Sequence, residues 1–153
     1  MRRHYLLAAF LLLTYTSCLS IQDLSLFDPN LTPEGVRAAL DAGADLEARD
    51  EYGWTPLLLA ARFNENPEMV QALLDAGADL EARNEYGWTP LMYAAEYNSN
   101  PEVLQVLLDA GADATAKNGE KETAWDLIQD NEALKDSKAY WRLNDLRYRN
   151  ARD

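Results

Sequence analysis

Carboxylates are the most abundant side chains in this sequence that could carry out chemistry. There are 26 acidic residues, and two carboxylates held close together can act as general acid and general base. Acidic residues also crowd two turns, at 45–51 and 120–122. A calcium loop would need six or more oxygen ligands at the spacing D-x-[DN]-x-[DN]-G, and neither turn has that spacing. We therefore expect the aspartates after each Gly-Ala to accept backbone N–H groups in turns, and we expect no metal site.

The first 20 residues are typical of a secretory signal peptide. Arg2 and Arg3 precede an apolar run from Tyr5 to Leu13, and small residues follow near a cleavage point after Ser20. The run has about half of the ~20 residues that a membrane-spanning helix needs. We therefore predict a periplasmic or secreted protein. An alternative stays open, because the sequence YTSC resembles a lipoprotein box and would place a lipid anchor on Cys18.

Removal of this segment changes the chemistry that the chain can perform. His4 and Cys18 are the only His and the only Cys, so cleavage after Ser20 leaves neither imidazole nor thiol. Ser-His-Asp and Cys-His catalysis and histidine-bound zinc are then excluded, and we expect no enzyme activity and no cofactor. Without Arg2 and Arg3, 12 basic residues face 26 acidic ones, a net charge of −14. Such a charge disfavours nucleic acid and favours a basic protein partner.

Aromatic residues recur with a fixed period. The heptapeptide EYGWTPL begins at Glu51 and again at Glu85, 34 residues later. At this shift, residues 50–83 and 84–117 are identical at about two thirds of their positions, which indicates a repeat architecture. We divide the remaining chain into an N-terminal partial repeat, 21–49, and a C-terminal capping repeat, 118–153.

Each repeat predicts two short helices and an extended turn. Thr55 and Thr89 are typical N-cap residues, each followed by Pro at the first helical position. Asn66 and the proline after it begin the second helix in the same way. Apolar residues then recur at helical spacing, which predicts one buried face per helix. Gly77 and Gly111 end the second helices with the left-handed conformation that glycine adopts without cost.

The two ends of the array depart from this pattern. Residues 21–31 lack T-P-L, so we expect a degenerate cap followed by a normal second helix at 32–42. At the other end the residues from Thr123 to Leu127, TAWDL, stand where T-P-L should be, and a longer helix from about Ser137 to Tyr148 closes the stack. Because one helix pair cannot bury both apolar faces alone, the units must stack into an all-α solenoid.

The residues G-W-T-P-L-x-x-A-A followed by V-x-x-L-L-D-A-G-A-D resemble the ankyrin repeat. The resemblance covers about residues 32–148 and implies two full repeats, joined by β-hairpin loops and flanked by capping repeats. The histidine of the family's T-P-L-H is replaced by Leu58 and Met92, so packing must replace its hydrogen bonds. Asn64 and Asn98 stand where the family has glycine, and we expect them to take the left-handed conformation. This N-x-N-P variant resembles bacterial ankyrin proteins.

The resemblance also implies where a partner binds, because ankyrin proteins usually grip partners with hairpin tips and the exposed first helix along a concave face. Carried over by position, the partner-binding residues are Glu51, Tyr52, Trp54, Arg62, Phe63, Glu85, Tyr86, Trp88, Glu96 and Tyr97. Tyr and Trp are enriched among binding hot spots because they bury a large area at low entropic cost. We expect a monomeric binding module that does not insert into a membrane.

Three alternatives stay open on the sequence. The tryptophans are either binding residues or residues that stabilise the stacking of neighbouring repeats. The protein is either a general binding module or an immunity protein that covers a basic toxin. Finally, the acidity either attracts a basic partner or only keeps a secreted protein soluble.

Overall fold

The computed structural model describes residues 25–28 and 30–149, so the predicted signal peptide, with His4 and Cys18, lies outside the described residues. Within this part the chain forms one short 3-10 turn and seven α-helices, and no strand. The 3-10 turn is Ser25–Phe27, and the helices are α1 (Pro33–Asp41), α2 (Pro56–Phe63), α3 (Pro67–Asp75), α4 (Pro90–Tyr97), α5 (Pro101–Asp109), α6 (Ala124–Ile128) and α7 (Lys138–Arg149).

The helices form two layers. The first-helix layer is α2, α4 and α6, each packed on the next, and the second-helix layer is α1, α3, α5 and α7, packed in the same order. The two layers are joined within each repeat, as α2 contacts α3 and α4 contacts α5. This arrangement confirms the predicted all-α solenoid. At the N-terminal end the 3-10 turn contacts α1 and α2 and stands where a first helix is missing.

The predicted N-caps are confirmed. The Thr55 hydroxyl accepts the backbone N–H of Leu58, and the Thr89 hydroxyl accepts the backbone N–H of Met92. The Asn66 side chain accepts the N–H of Glu68 at 3.0 Å. In each of these helices a proline occupies the first turn, where its missing N–H leaves no hydrogen bond unmade.

The core consists of the apolar faces that the periodicity predicts. Small alanines of the first-helix layer, such as Ala61 and Ala95, have no exposed surface and let neighbouring repeats approach closely. Leu58 and Met92, which replace the family histidine, are buried to 0% and 1% exposure. Packing at this position therefore takes the place of the histidine hydrogen bonds, except that the Met92 sulfur accepts the Thr89 N–H at 3.5 Å.

The prediction for the asparagines after the first helices is wrong. Asn64 has φ −97° and ψ 118°, and Asn98 has φ −80° and ψ 140°, so both are extended rather than left-handed. The extended conformation lets the side-chain amide of Asn98 reach back one repeat, where it donates to the carbonyls of Ala61 at 2.9 Å and Asn64 at 3.0 Å. Gly77 and Gly111 do adopt the predicted left-handed conformation, with φ 99° and 93°.

The C-terminal helix closes the stack one residue later than predicted, from Lys138 to Arg149. Ala139 and Leu143 are buried against the core. Arg142 forms an ion pair with Asp109 and also approaches the Leu108 carbonyl at 3.4 Å, so it covers the C-terminal end of α5. Within residues 25–28 and 30–149, none of the helices has the length and hydrophobicity of a transmembrane segment.

Candidate protein-binding face

The hairpin tips that present EYGW are fixed by one acceptor in each repeat. In the first unit the Asp50 carboxylate accepts the backbone N–H groups of Tyr52 and Trp54, both at 2.9 Å. The Asp50 N–H in turn donates to the Trp54 carbonyl, and Gly53 takes φ 74° at the turn. These bonds explain why a polar residue precedes EYGW, because an apolar residue would leave the two N–H groups without their acceptor.

Neighbouring tips are bonded to each other. The guanidinium of Arg83 donates to the Gly87 carbonyl at 3.1 Å and to the Lys117 carbonyl at 2.9 Å, one repeat further on. The Gly119 N–H donates to the Tyr86 carbonyl at 2.9 Å. A Cβ atom on Gly87 would lie 3.3 Å from the Gly119 nitrogen, so this contact also limits side-chain size. The tips are thus stacked at a fixed spacing.

Five aromatic rings form a continuous row along the first-helix layer, which we call the aromatic row: Phe63, Trp54, Tyr93, Trp88 and Tyr97. Successive ring centroids are 6.3, 4.4, 4.8 and 6.0 Å apart. The row joins the two full repeats, because Tyr93 of the second repeat packs between the two tryptophans. Tilted ring pairs at these distances stabilise a fold beyond the area that they bury.

Tyr93 is the centre of the aromatic row, and it is not among the residues predicted from the sequence. It is 4% exposed, and its hydroxyl accepts a hydrogen bond from the Asn84 side-chain amide at 2.8 Å. Burial raises the pKa of Tyr93, and the nearby Arg62 guanidinium opposes that shift. The sequence did distinguish Tyr93, because the equivalent positions of the neighbouring repeats are occupied by Leu59 and Leu127.

Arg62 lies against the aromatic row. Its Cζ atom is 4.1 Å from the ring centroid of Tyr97, 4.9 Å from that of Phe63 and 5.5 Å from that of Trp54. These are cation–π distances, and the planar guanidinium suits such contacts. The two ion pairs of the described region are Lys135 with Glu132 and Arg142 with Asp109, so Arg62 is held by rings rather than by a carboxylate.

The exposure of the rings separates the predicted binding residues into two groups. Tyr52, Phe63, Tyr86 and Tyr97 have 55%, 55%, 65% and 46% of their surface exposed. Trp54 and Trp88 are only partly exposed and pack against the core through Tyr93. Trp54 and Trp88 therefore pack on Tyr93 and the core, while the other four rings are presented to solvent.

The predicted acidic residues also differ in their surroundings. Glu51 and Glu85 are exposed at the tips, whereas Glu96 is partly buried in α4. The Oε2 atom of Glu96 is buried and has no hydrogen-bond partner in the described part of the chain. Interaction with the Glu96 side chain, followed by burial, raises the pKa of Tyr97. The face therefore carries both a carboxylate and a guanidinium at equivalent positions of adjacent repeats.

The turns hold their carboxylates in structural roles. Asp45, Asp79 and Asp113 each accept the backbone N–H two residues later, as expected for aspartates in turns. Hydrogen bonding to Thr115 lowers the pKa of Asp113. Among residues 25–28 and 30–149, no group of three or more acidic, His or Cys side chains is arranged to hold a metal ion.

The chain matches a known protein-family model. Residues 28–118 match the family model described as "Ankyrin repeats (3 copies)", which is more than half of the chain. The matched range contains the hairpin tips, the aromatic row and Arg62. No curated protein matches the chain significantly.

Proposed function

This chain belongs to the ankyrin-repeat family, and from that premise we propose that it is a non-catalytic module that binds a basic protein through its hairpin tips and first-helix face. Ankyrin repeats are protein-interaction modules, and repeat arrays present extended surfaces suited to this purpose. The proposed contact residues are those predicted from the sequence: Glu51, Tyr52, Trp54, Arg62, Phe63, Glu85, Tyr86, Trp88, Glu96 and Tyr97.

The observation that carries the proposal is the set of four exposed rings on a rigid support. Tyr52, Phe63, Tyr86 and Tyr97 are each close to half exposed or more, and all lie on the tips or the first-helix layer. The partly buried indoles pack behind Phe63 and Tyr97, so these two rings are held in place before any partner arrives. Preorganised aromatic side chains lose little entropy on binding, which is why they dominate interface energetics.

Charge supports a basic partner. Glu51 and Glu85 are exposed at successive tips, and the chain without Arg2 and Arg3 has 26 acidic against 12 basic residues. Such an acidic surface attracts a basic protein over a distance and raises the association rate at low salt. It repels the phosphate backbone of nucleic acids, which bind to clustered Lys and Arg.

Capture of partners from an envelope extract tests the proposal. The immobilised protein should retain a basic protein at low salt and lose most of it at high salt, because salt screens the attraction. Changing Tyr52, Phe63, Tyr86 and Tyr97 together to Ser should reduce retention about tenfold or more. Trp141 and Tyr148 lie on α7 and are 52% and 54% exposed. Changing both of them to Ser gives a matched control.

Two results would contradict the proposal. Equal retention by the variant with four serines and by the wild type would show that the partner binds elsewhere. Equal loss in the α7 control would show that exposed rings in general, rather than this face, cause the capture. Circular dichroism of both variants checks that the helices remain folded.

We also propose that the protein is exported, because residues 1–20 have the composition of a signal peptide. Mass spectrometry of the processed protein should show cleavage after Ser20 and release into the soluble envelope fraction. If the protein is instead found on membranes and a Cys18→Ala change releases it, the lipid-anchored alternative is correct. An unprocessed N-terminus would overturn both.

A further inference from the structure

An apolar cavity of about 260 Å³ lies beside the aromatic row, at the N-terminal end of the first-helix layer. Its wall is formed by the 3-10 turn, α2 and α3, and most of its lining residues are apolar: Leu26, Phe27, Pro56, Leu59, Phe63 and Met69. The cavity is smaller than the ~300–1,000 Å³ of typical small-molecule sites. Its size and lining suit one large apolar side chain.

Two polar residues, Asp28 and Asn64, line the cavity, and the charged groups on its two sides have opposite sign. Asp28 lines it on one side, and its carboxylate accepts the N–H of Asn30 at 2.8 Å. On the other side Phe63 separates the cavity from Arg62, whose Cζ atom is 4.9 Å from the Phe63 ring centroid. An anion is therefore repelled next to Asp28 and attracted next to Arg62.

The guanidinium of Arg62 is oriented by the rings that surround it. It lies 4.1 Å from the Tyr97 centroid and close to Phe63, so aromatic contacts restrict its movement. Cation–π contacts engage the face of a guanidinium. One N–H group of Arg62 interacts with the Tyr93 hydroxyl, and the others can donate the hydrogen bonds that a carboxylate accepts. Among the described residues no carboxylate forms an ion pair with Arg62.

We propose that the cavity and the neighbouring Arg62, which we call the corner, bind a partner segment carrying a large apolar side chain close to a carboxylate. This inference deepens the protein-binding function proposed above and rests on it. The apolar side chain enters the cavity beside Phe63, and the aspartate or glutamate accepts hydrogen bonds from Arg62. The partner is basic as a whole but acidic at this one point. Because Phe63 lies between the two subsites, the two partner residues must be close neighbours.

The second repeat lacks this combination, so the corner gives the partner one register. Leu59 is replaced there by Tyr93, whose ring is buried in the aromatic row, and Arg62 is replaced by Glu96. A carboxylate that binds at Arg62 would be repelled at Glu96, one repeat away. Placement of like charge against the wrong register is a recognised route to specificity.

Selection from a library of random 12-residue peptides displayed on phage tests the proposal, with the purified full chain immobilised. We expect the enriched peptides to share a large apolar residue within about four positions of Asp or Glu, the span over which helical neighbours meet. Two variants place residues of the second repeat at the equivalent positions of the first. Arg62→Glu with Glu96→Arg keeps composition and net charge, and Leu59→Tyr fills the cavity.

The charge exchange should remove the acidic preference and weaken binding of the best peptide about tenfold or more, while Leu59→Tyr should remove the apolar preference alone. Two outcomes would overturn this inference and leave the proposed function standing. In the first, the peptides bind through the four exposed rings but share no acidic residue. In the second, selection on the charge-exchange variant still enriches an acidic residue. A selection that enriches nothing, or enriches peptides that bind equally well when Tyr52, Phe63, Tyr86 and Tyr97 are changed to Ser, would overturn both.

Discussion

The side-chain amide of Asn98 donates a hydrogen bond to the backbone carbonyl of Ala61 at 2.9 Å, across the boundary between the two full repeats. The same amide donates to the Asn64 carbonyl, and its oxygen accepts the N–H of Asn100 at 2.9 Å. In the next repeat Asn131 reaches the carbonyls of Ala95 and Asn98 in the same way. A column of asparagines therefore ties each first helix to the one before it.

Asn98→Gly should destabilise the protein by about 3 kcal/mol. Asn98 is 2% exposed, and its loss leaves two carbonyls without a hydrogen-bond donor, at ~1–3 kcal/mol each. Glycine would be neutral or better if this residue were left-handed, so the variant also tests the conformation. Urea unfolding followed by circular dichroism measures the change. Ser99→Gly, at the exposed neighbouring position, is the control for backbone freedom. It also removes one exposed hydrogen bond to Glu65 and should cost about 1 kcal/mol.

Trp54 and Tyr52 are neighbours in one hairpin tip, but we expect opposite effects from their removal. The Trp54 ring lies 4.4 Å from that of buried Tyr93, so Trp54→Ala should cost about 2 kcal/mol, below the 3–5 kcal/mol typical of a fully buried aromatic residue. Tyr52 is 55% exposed, and Tyr52→Ala should change the free energy of unfolding by less than ~0.5 kcal/mol.

Unfolding and partner capture, measured on the same two variants, separate stacking from binding. Tyr52→Ala should weaken capture without a change in stability. If Trp54→Ala leaves the unfolding midpoint unchanged, the packing of the indole on Tyr93 contributes nothing to stability. The tryptophans would then act only in binding.

The sequence predicted the helices well because their signals are local. Thr55 and Thr89 are each followed by Pro, and these pairs begin α2 and α4 as expected. Gly77 and Gly111 end their helices in the left-handed conformation, as predicted. The exposure of Phe63 and Tyr97 also follows from their position near the helix ends. Each of these features depends on residues within one turn of the chain.

Contacts between repeats could not be predicted in the same way. A left-handed Asn98 satisfies the local preference of the residue, but the carbonyl of Ala61, 37 residues away, decides its conformation. Similarly, Arg62 belongs to the first repeat, yet its closest ring is Tyr97 of the second. The position of Tyr93 differs from its equivalents in the sequence, but only the stacked structure shows that both tryptophans meet there.

Arg83→Lys should loosen the hairpin tips without unfolding the helices. One nitrogen of Arg83 donates to the carbonyls of both Gly87 and Lys117, and the ammonium of lysine does not reproduce the rigid geometry of a guanidinium. We expect amide exchange of Gly119, which donates to the Tyr86 carbonyl, to accelerate several-fold. Hydrogen exchange measured by NMR gives the rate, and the amides of α5 serve as the internal control. Equal acceleration in α5 would indicate global destabilisation instead.

Asp126 should make the C-terminal cap sensitive to acid. Its carboxylate accepts the backbone N–H of Thr123 at 2.9 Å and the Thr123 hydroxyl at 2.7 Å, and these bonds lower the pKa of Asp126 from its usual value. A folded-state pKa below the unfolded value stabilises the fold above about pH 4, and this contribution is lost as the pH falls through the folded pKa. Asp126→Asn should therefore cost only about 0.5–1 kcal/mol near pH 6, because the group is exposed, and little near pH 2, where the carboxyl is protonated.

Urea unfolding at both pH values measures the difference, and Asp130→Asn, which makes the same charge change at an exposed position, is the control. A cost for Asp126→Asn that is the same at both pH values would mean that the hydrogen bonds to Thr123 do not depend on the ionised carboxylate.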